Sequence, residues 1–282
     1  MLSHHALHTA QFDQQSISYL DQGQSKSSIL FLHGMGCDHQ TWYRNIINLR
    51  TFHRCLAPDL PGYGKSIRTD KKCTLEYYME MIFRLAEHLN SGPFHLIGHS
   101  MGAQLAVKLS VEYPSLFKRL VLIAPAGFEK FTLAEKTFLL NLYQPDLLRH
   151  LPMQEYLNNL KKNFYRKEDV DHDLMDNFIR IFRSNQFPGY CKTLSENLKS
   201  MLEQPIFNHL PRIAQPVMFI FGRQDQLIPN RILHPHLSLA EIAQVAYNMI
   251  PESQLQLLDN AGHFVHWEQA STVNQSIIQF LK

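Results

Sequence analysis

Cysteine is scarce in this 282-residue sequence, and the four cysteines are scattered. Cys37, Cys55, Cys73 and Cys191 form no CxxC pair, so we expect reduced thiols and a cytoplasmic location. Long apolar runs are missing as well, since none approaches the ~18 residues that a membrane span requires. The N-terminal stretch 1–15 also lacks a charged segment followed by an apolar one. We therefore expect neither a secretion signal nor a membrane span.

Charge of one sign is not in excess either. Lysine and arginine number 27 and aspartate and glutamate 25, a formal net charge of +2 that offers little electrostatic attraction for nucleic acid. We therefore expect no nucleic-acid partner. The 16 histidines lack complete zinc ligand sets, so we also expect no bound metal. The closest histidine groups are His4, His5 and His8; His234 and His236; and His263 and His266.

What the sequence does contain is an alternation of short apolar runs with helical periodicity. This alternation predicts an α/β fold with a mostly parallel sheet. Continuous apolar runs predict buried strands, and a weaker alternation at 16–21 predicts an edge strand. The buried strands are expected at 29–32, 54–57, 94–97, 120–123, 217–221 and 255–258. Helices are expected at 41–49, 74–90, 101–113 and 265–281.

One interval is too long for an ordinary crossover between neighbouring strands. The stretch 125–215 has 91 residues, whereas a crossover with its helix needs only ~10–12 or somewhat more. Its pattern is helical and rich in aromatic residues, which predicts a helical cap over the strand ends. Cap helices are expected at 130–143, 153–165, 171–185 and 191–204. We place the cap at 127–210 and the core domain at 1–126 and 211–282.

The strongest chemical signal is the segment Gly98-His99-Ser100-Met101-Gly102. It follows a predicted buried strand and opens a predicted helix, which is the context of a nucleophile elbow. The tight turn would expose the Ser100 hydroxyl above the sheet, and the two glycines would leave room for the helix and the adjacent strand. Ser100 is therefore the candidate nucleophile.

A serine hydroxyl needs a base in reach and a group that orients the base. His263 follows the last predicted strand and is the candidate base, and Asp225 follows the strand before it and is the candidate orienting acid. Two backbone amides would form an oxyanion hole, one from Met101 and the other from Met35 in the loop 33–36. Four other residues are expected in structural or solvated positions: His33, His99, Asp259 and His266.

Five segments, in order along the chain, resemble the α/β-hydrolase superfamily in its capped serine esterase and C–C-bond hydrolase branch. They are HGMG at 33–36, DLPGYGKS at 59–66, GHSMG at 98–102, FGRQDQLIP at 221–229 and GHFVHWE at 262–268. The resemblance implies an eight-stranded, mostly parallel sheet with the cap after the sixth strand. It also implies hydrolysis through an acyl-enzyme without a cofactor. The partner would be a small-molecule ester, and the protein a monomer or homodimer.

The resemblance to this branch excludes some reactions of the superfamily but leaves more than one possible. Ser100 stands where dehalogenases and epoxide hydrolases of the superfamily have aspartate. Trp267 resembles a residue of the C–C hydrolases, but the segment 35–38 departs from their usual GPG-type loop. We expect an esterase with an apolar pocket, with Met35 and Trp267 as substrate-binding residues. A C–C hydrolase, a ligand-binding receptor or scaffold, and an acyltransferase stay open as alternatives.

Overall fold

The computed structural model of the protein describes residues 7–66, 71–170 and 172–282. They form an eight-stranded sheet of order β1-β2-β4-β3-β5-β6-β7-β8, which confirms the expected fold class. β1 and β2 are antiparallel to their neighbours and the other six strands are parallel. The strands are β1 (His8–Phe12), β2 (Gln15–Gln22), β3 (Ser28–Leu32), β4 (Arg54–Pro58), β5 (Phe94–His99), β6 (Phe117–Ile123), β7 (Val217–Gly222) and β8 (Gln254–Leu258).

Strand β1 has no counterpart among the strands expected from the sequence. It lies at the edge of the sheet, and of its five residues only Ala10 is fully buried. An edge strand that faces solvent needs no apolar run, so hydrophobic patterning did not reveal it. The other seven strands lie at the expected places. The expectation that 16–21 is an edge strand was wrong, because β2 pairs with β1 on one side and with β4 on the other.

The described residues form eleven α-helices and several 3₁₀ turns. A 3₁₀ turn at His39–Trp42 precedes α1, and another at Lys167–Asp169 follows α6. The helices are α1 (Tyr43–Leu49), α2 (Leu75–Leu89), α3 (Met101–Glu112), α4 (Leu133–Leu142), α5 (Pro145–His150), α6 (Met153–Lys162), α7 (His172–Phe182), α8 (Phe187–Glu203), α9 (Leu239–Met249), α10 (Val265–Glu268) and α11 (Ala270–Phe280).

Local signals explain several helix boundaries. The Thr74 side chain accepts a hydrogen bond from the Tyr77 amide at the start of α2, and Asn90 ends the helix in the left-handed region at φ 43°. The helix expected at 265–281 is broken, because Gln269 adopts φ −112° and ψ 39° between α10 and α11. α5 and α9 were not expected, although Ser238 and Glu241 form a capping box at the start of α9.

Apolar side chains cover both faces of the sheet. On one face, α2, α3 and α9 pack against side chains such as Leu30 and Phe219. On the other face, α1 and α11 pack against side chains such as Phe31 and Ile220. Because six neighbouring strands are parallel, their carboxyl ends meet at one edge of the sheet. At this edge Leu32 pairs with Gly98 and Gly222 with Leu258.

The cap consists of the helices α4 to α8, which follow β6 as expected; its boundaries at 127 and 210 stay a prediction. Its helix α8 is fixed to the core by a buried polar network. The Tyr63 hydroxyl donates to Asn197 Oδ1 at 2.5 Å. The Asn197 side-chain amide donates to the Cys73 carbonyl at 2.6 Å and to the Tyr78 hydroxyl at 3.0 Å. Among the helices described, none is long and apolar enough to cross a lipid bilayer.

Candidate active site

Ser100 lies on the sharp turn between β5 and α3, with φ 54° and ψ −117°. A positive φ is unfavourable for serine, and such strain is typical of functional positions. The two glycines of the turn allow the close packing that holds it. A Cβ at Gly98 would collide with the carbonyl of Gly102, and a Cβ at Gly102 with the carbonyl of Leu32. The local packing thus imposes the turn on Ser100.

His263 and Asp225 are brought together by the loops that follow β8 and β7. His263 Nδ1 lies 2.8 Å from Asp225 Oδ2, and both side chains are buried. Asp225 Oδ1 accepts the backbone amides of Leu227 at 2.8 Å and Ile228 at 3.1 Å, which fixes the carboxylate. With Nδ1–H donated to the carboxylate, Nε2 is the nitrogen that can accept a proton.

The end of β5, just before Ser100, contacts the loop that carries His263 through the side chain of His99. The His99 ring centroid lies 4.8 Å from that of His263, and His99 Nε2 is 2.9 Å from the His263 carbonyl oxygen. Burial and the neighbouring His266 and His263 hold the pKa of His99 well below its ordinary value. A neutral His99 can donate from Nε2, so its role here is to hold the His263 backbone.

The loop 33–36 lies beside Ser100, as an oxyanion hole would require. A Cβ at Gly34 would come within 3.3 Å of the Ser100 Cβ, so glycine allows the close approach. Met101 is the first residue of α3, where a backbone amide has no acceptor inside the helix. The Met35 and Met101 amides remain the proposed pair of oxyanion donors.

The other residues near the site have structural contacts. His33 donates from Nδ1 to the Gly34 carbonyl at 2.8 Å and accepts the Leu60 amide at Nε2 at 3.0 Å. Asp259 is exposed and pairs with Arg223 at 3.1 Å. Burial raises the pKa of the Cys37 thiol to about 12, so Cys37 is not a rival nucleophile.

The segment 59–66 is organised around the buried side chain of Asp59. Asp59 Oδ1 accepts the backbone amide and Nδ1 of His39, at 2.9 and 2.7 Å, and Oδ2 accepts the Lys65 amide at 2.7 Å. Burial would raise the pKa of Asp59, but the hydrogen bonds from His39 lower it overall. Asp38, His39 and Asp59 place ligand atoms within 4.8 Å of one another in the part described, yet the Asp59 oxygens are already occupied by N–H donors. These contacts fit a structural cluster better than a metal site.

A cavity lies between the cap and the loops beside the candidate site. It has about 530 Å³ of empty space, part of it open to solvent. Asp38 is in its wall, where Oδ2 accepts a hydrogen bond from the Asn177 side chain of α7. No lysine or arginine is among the described residues that line it. The lining residues are Gly36, Cys37, Asp38, Thr41, Tyr63, Gly64, Leu160, Leu174, Asn177, Phe178, Ile181, Tyr190 and Phe264.

The two residues expected to bind substrate are not in that lining set. Met35 is half-buried beside the cavity residue Gly36, against the main core. Trp267 is 2% exposed and packs with Phe164 and Phe264, and the Arg44 guanidinium lies 4.5 Å from its ring centroid. Substrate binding by Met35 and Trp267 therefore stays a prediction.

Sequence reasoning gave no role to three residues that the structure places at the site. Asp38 brings negative charge to the cavity wall, and the Tyr190 hydroxyl donates to the Gly36 carbonyl at 2.9 Å. Glu268 binds backbone amides on both sides of the junction between cap and core. Asp38 closely follows the motif at 33–36, and Glu268 is the last residue of the motif at 262–268. No spacing rule marks Tyr190, because its contact spans 154 positions.

Comparison with known proteins identifies the family. The family model described as alpha/beta hydrolase fold matches residues 28–270. The chain belongs to the α/β-hydrolase fold family. Hydrolase activity is thus supported at the level of the family.

Proteins similar to this α/β-hydrolase differ in the substrates or activities that their names state. The chain is 26% identical to the 2-hydroxy-6-oxononadienedioate/2-hydroxy-6-oxononatrienedioate hydrolase of Burkholderia vietnamiensis, covering 94% of this chain and 91% of the relative. It is 26% identical to the monoacylglycerol lipase ABHD6 of Homo sapiens, covering 91% and 75%. A thermophilic esterase from Thermogutta terrifontis shares the fold, with a TM-score of 0.80, 20% identity and 98% of each chain covered.

Proposed function

We propose that the protein is a serine hydrolase that cleaves small-to-medium apolar carboxylic esters through an acyl-enzyme. Ser100, His263 and Asp225 would be its catalytic residues. The observation that carries the proposal is the 2.8 Å contact of His263 Nδ1 with Asp225 Oδ2, at the edge where Ser100 occupies a positive-φ turn. A serine on a strained turn and an oriented imidazole are the parts that acyl transfer needs.

In the proposed reaction, His263 Nε2 takes the Ser100 hydroxyl proton as Oγ attacks the ester carbonyl carbon. The oxyanion that forms accepts hydrogen bonds from the Met35 and Met101 amides, each worth a factor of ~10²–10³ in turnover. The intermediate collapses, and the alkoxide leaves with the proton from His263. His263 then deprotonates a water molecule, which attacks the acyl carbon. As this second intermediate collapses, the bond to Ser100 Oγ breaks, Oγ takes the proton back from His263, and the acid is released.

The charge of the cavity favours esters over the substrates named for the C–C hydrolase relatives. Those names describe dioates, which carry two carboxylates. A site for carboxylates usually supplies arginine or lysine. Here the described lining has Asp38 and neither cation. Like charges in a partly enclosed cavity repel, so a neutral acyl chain fits this wall better than an anionic one.

The proposal is tested with 4-nitrophenyl esters from acetate to dodecanoate. We expect turnover that peaks at short or medium chains, and a loss of at least about 10⁴-fold in kcat in Ser100→Ala. A fluorophosphonate should label Ser100 and abolish turnover. An enzyme that hydrolyses no ester, or a Ser100→Ala protein with full activity, would refute the proposal.

The second candidate, a C–C bond hydrolase, is favoured by the names of several relatives and tested in parallel. We expect kcat/KM for the best ester to exceed that for 2-hydroxy-6-oxononadienedioate. The reverse order would assign the C–C reaction instead. If fluorophosphonate does not label Ser100, the result would indicate a binding protein. If the acyl group is transferred to an added alcohol in preference to water, the result would indicate an acyltransferase.

A further inference from the structure

Two stretches of chain run side by side where the cap meets the loop of the proposed base. Residues 163–165 follow α6 of the cap, and residues 262–264 carry His263. The His263 backbone amide donates to the Asn163 carbonyl at 2.8 Å. The Phe164 and Phe264 rings stack, with centroids 4.8 Å apart and planes 7° from parallel. The base is therefore attached to the cap through its own backbone.

The Glu268 carboxylate joins the same two stretches. Its Oε2 accepts the Gly262 amide at 2.7 Å, and its Oε1 accepts the Tyr165 amide at 2.7 Å. A Cβ at Gly262 would lie 2.6 Å from the Asn163 carbonyl oxygen, so the two backbones are in direct contact there. Hydrogen bonds from amides to an ionised carboxylate are among the stronger ones in proteins.

We propose that Glu268 is a positioning residue for His263, which holds the base loop against the cap so that the imidazole faces Ser100. This inference rests on the proposed function. Glu268 does not touch the ring of His263; it acts through the backbone amide that precedes His263 and through the docked cap stretch.

Three supports fix His263, and Glu268 reinforces the one that comes from the cap. Asp225 holds the ring, His99 holds the carbonyl, and Asn163 holds the amide. Without the Glu268 carboxylate, the Gly262 and Tyr165 amides lose a shared acceptor. The loop 262–264 can then separate from the cap, and a displacement of about 1 Å at a catalytic group can cost about 100-fold in rate.

The kinetic test compares Glu268→Ala with Gln269→Ala. Gln269 is a matched control because its side chain donates to the Asp259 and Asn260 carbonyls, which precede the same loop, and these hydrogen bonds stay within the core. We expect kcat for a short nitrophenyl ester to fall about 10- to 100-fold in Glu268→Ala with KM changed less than about threefold. Gln269→Ala should stay within about threefold of wild type. Equal losses in both variants, or a Glu268→Ala effect confined to KM, would overturn the proposal.

A double-mutant cycle with Phe164→Ala tests the route through the cap. If both substitutions act by undocking residues 163–165, their effects on kcat should be clearly less than multiplicative. Multiplicative effects would contradict a shared route.

A spectroscopic readout keeps the test independent of ester turnover. The proton between His263 Nδ1 and Asp225 should give a low-field ¹H NMR signal, which we expect to broaden or vanish in Glu268→Ala and persist in Gln269→Ala. A signal unchanged in Glu268→Ala would refute the positioning role. A wild-type enzyme that retains this signal but hydrolyses no ester would refute the proposed function alone. Unfolding temperatures confirm that each variant is folded.

Discussion

At the scale of single residues, Asp38 brings a carboxylate into a cavity wall whose other described residues are uncharged. Most of its neighbours in the wall are apolar or uncharged, yet Asp38 is only 5% exposed. Its carboxylate is held by two donors, the Gln40 amide at Oδ1 and the Asn177 side chain at Oδ2. Under the proposed function, the remote end of the acyl chain would lie in this cavity, beside the Asp38 carboxylate.

This placement predicts a selectivity that depends on charge. At an effective dielectric of about 20, two like charges about 8 Å apart repel by about 2 kcal/mol, roughly a 30-fold effect. Wild-type enzyme should therefore prefer 4-nitrophenyl hexanoate to the matched adipate half-ester, and Asp38→Asn should reduce that ratio of kcat/KM by about 10- to 30-fold. Asp146→Asn, which makes the same charge change on the exposed surface of the cap, should leave the ratio unaltered. A ratio that is the same in Asp38→Asn as in wild type would count against this assignment.

The positions of candidate site residues could be predicted where local sequence specifies them. Ser100 is marked by its flanking glycines and by the strand and helix on either side. His263 and Asp225 follow strands, so parallel topology brings them to one edge. Tyr190 and Asn177 could not be found, because their contacts depend on how the cap docks, which no local pattern specifies.

At the scale of elements, α8 is the helix that fastens the cap to the core. Asn197 is 1% exposed and satisfies Tyr63, Tyr78 and the Cys73 carbonyl together. Buried polar groups that lose their partner cost about 1–3 kcal/mol each.

Asn197→Ala should therefore lower the free energy of unfolding by about 2–4 kcal/mol. Asn159→Ala on exposed α6 should cost less than about 0.5 kcal/mol. Urea denaturation of both variants checks the difference. A loss of less than about 1 kcal/mol in Asn197→Ala would show that the network contributes little to stability.

Seven of the eight strands and most helices were predictable because each has its own pattern of apolar residues; the edge strand β1 has none. The short helix α5 and the break at Gln269 were not, because both depend on contacts made elsewhere. The Gln269 side chain reaches back to the carbonyls of Asp259 and Asn260. The spacing of apolar residues, which favours one continuous helix at 265–281, does not predict such a break.

At the scale of the whole molecule, buried neutral histidines make stability depend on pH. His266 is fully buried between Trp42 and His99, with ring centroids 4.6 and 4.4 Å away. Burial and the nearby His263 lower the pKa of His266 to about 3. The unfolded chain, whose histidines have a pKa of about 6.5, therefore binds a proton that the folded protein does not.

Stability should consequently fall as the pH drops from about 6.5 towards 3, with His266 accounting for about 3–5 kcal/mol of the total loss. In His266→Phe the slope of unfolding free energy against pH in this range should be smaller by up to about 1.4 kcal/mol per pH unit. The control is His236→Phe, which removes a histidine that is exposed in the folded protein. Denaturant titrations between pH 4 and 7 give the slopes, and equal slopes in His266→Phe and wild type would rule out this contribution.

The protein has two tryptophans, and both lie at the corner where the base loop meets its surroundings. Trp42 is buried against His266, and Trp267 packs with the Phe164–Phe264 stack. The tryptophan fluorescence of the protein therefore comes from this one corner. Solvent entering between residues 163–165 and 262–264 should red-shift the emission of Trp267, and protonation of His266 should quench Trp42. The protein thus contains its own optical probe of events beside His263, with no label to attach.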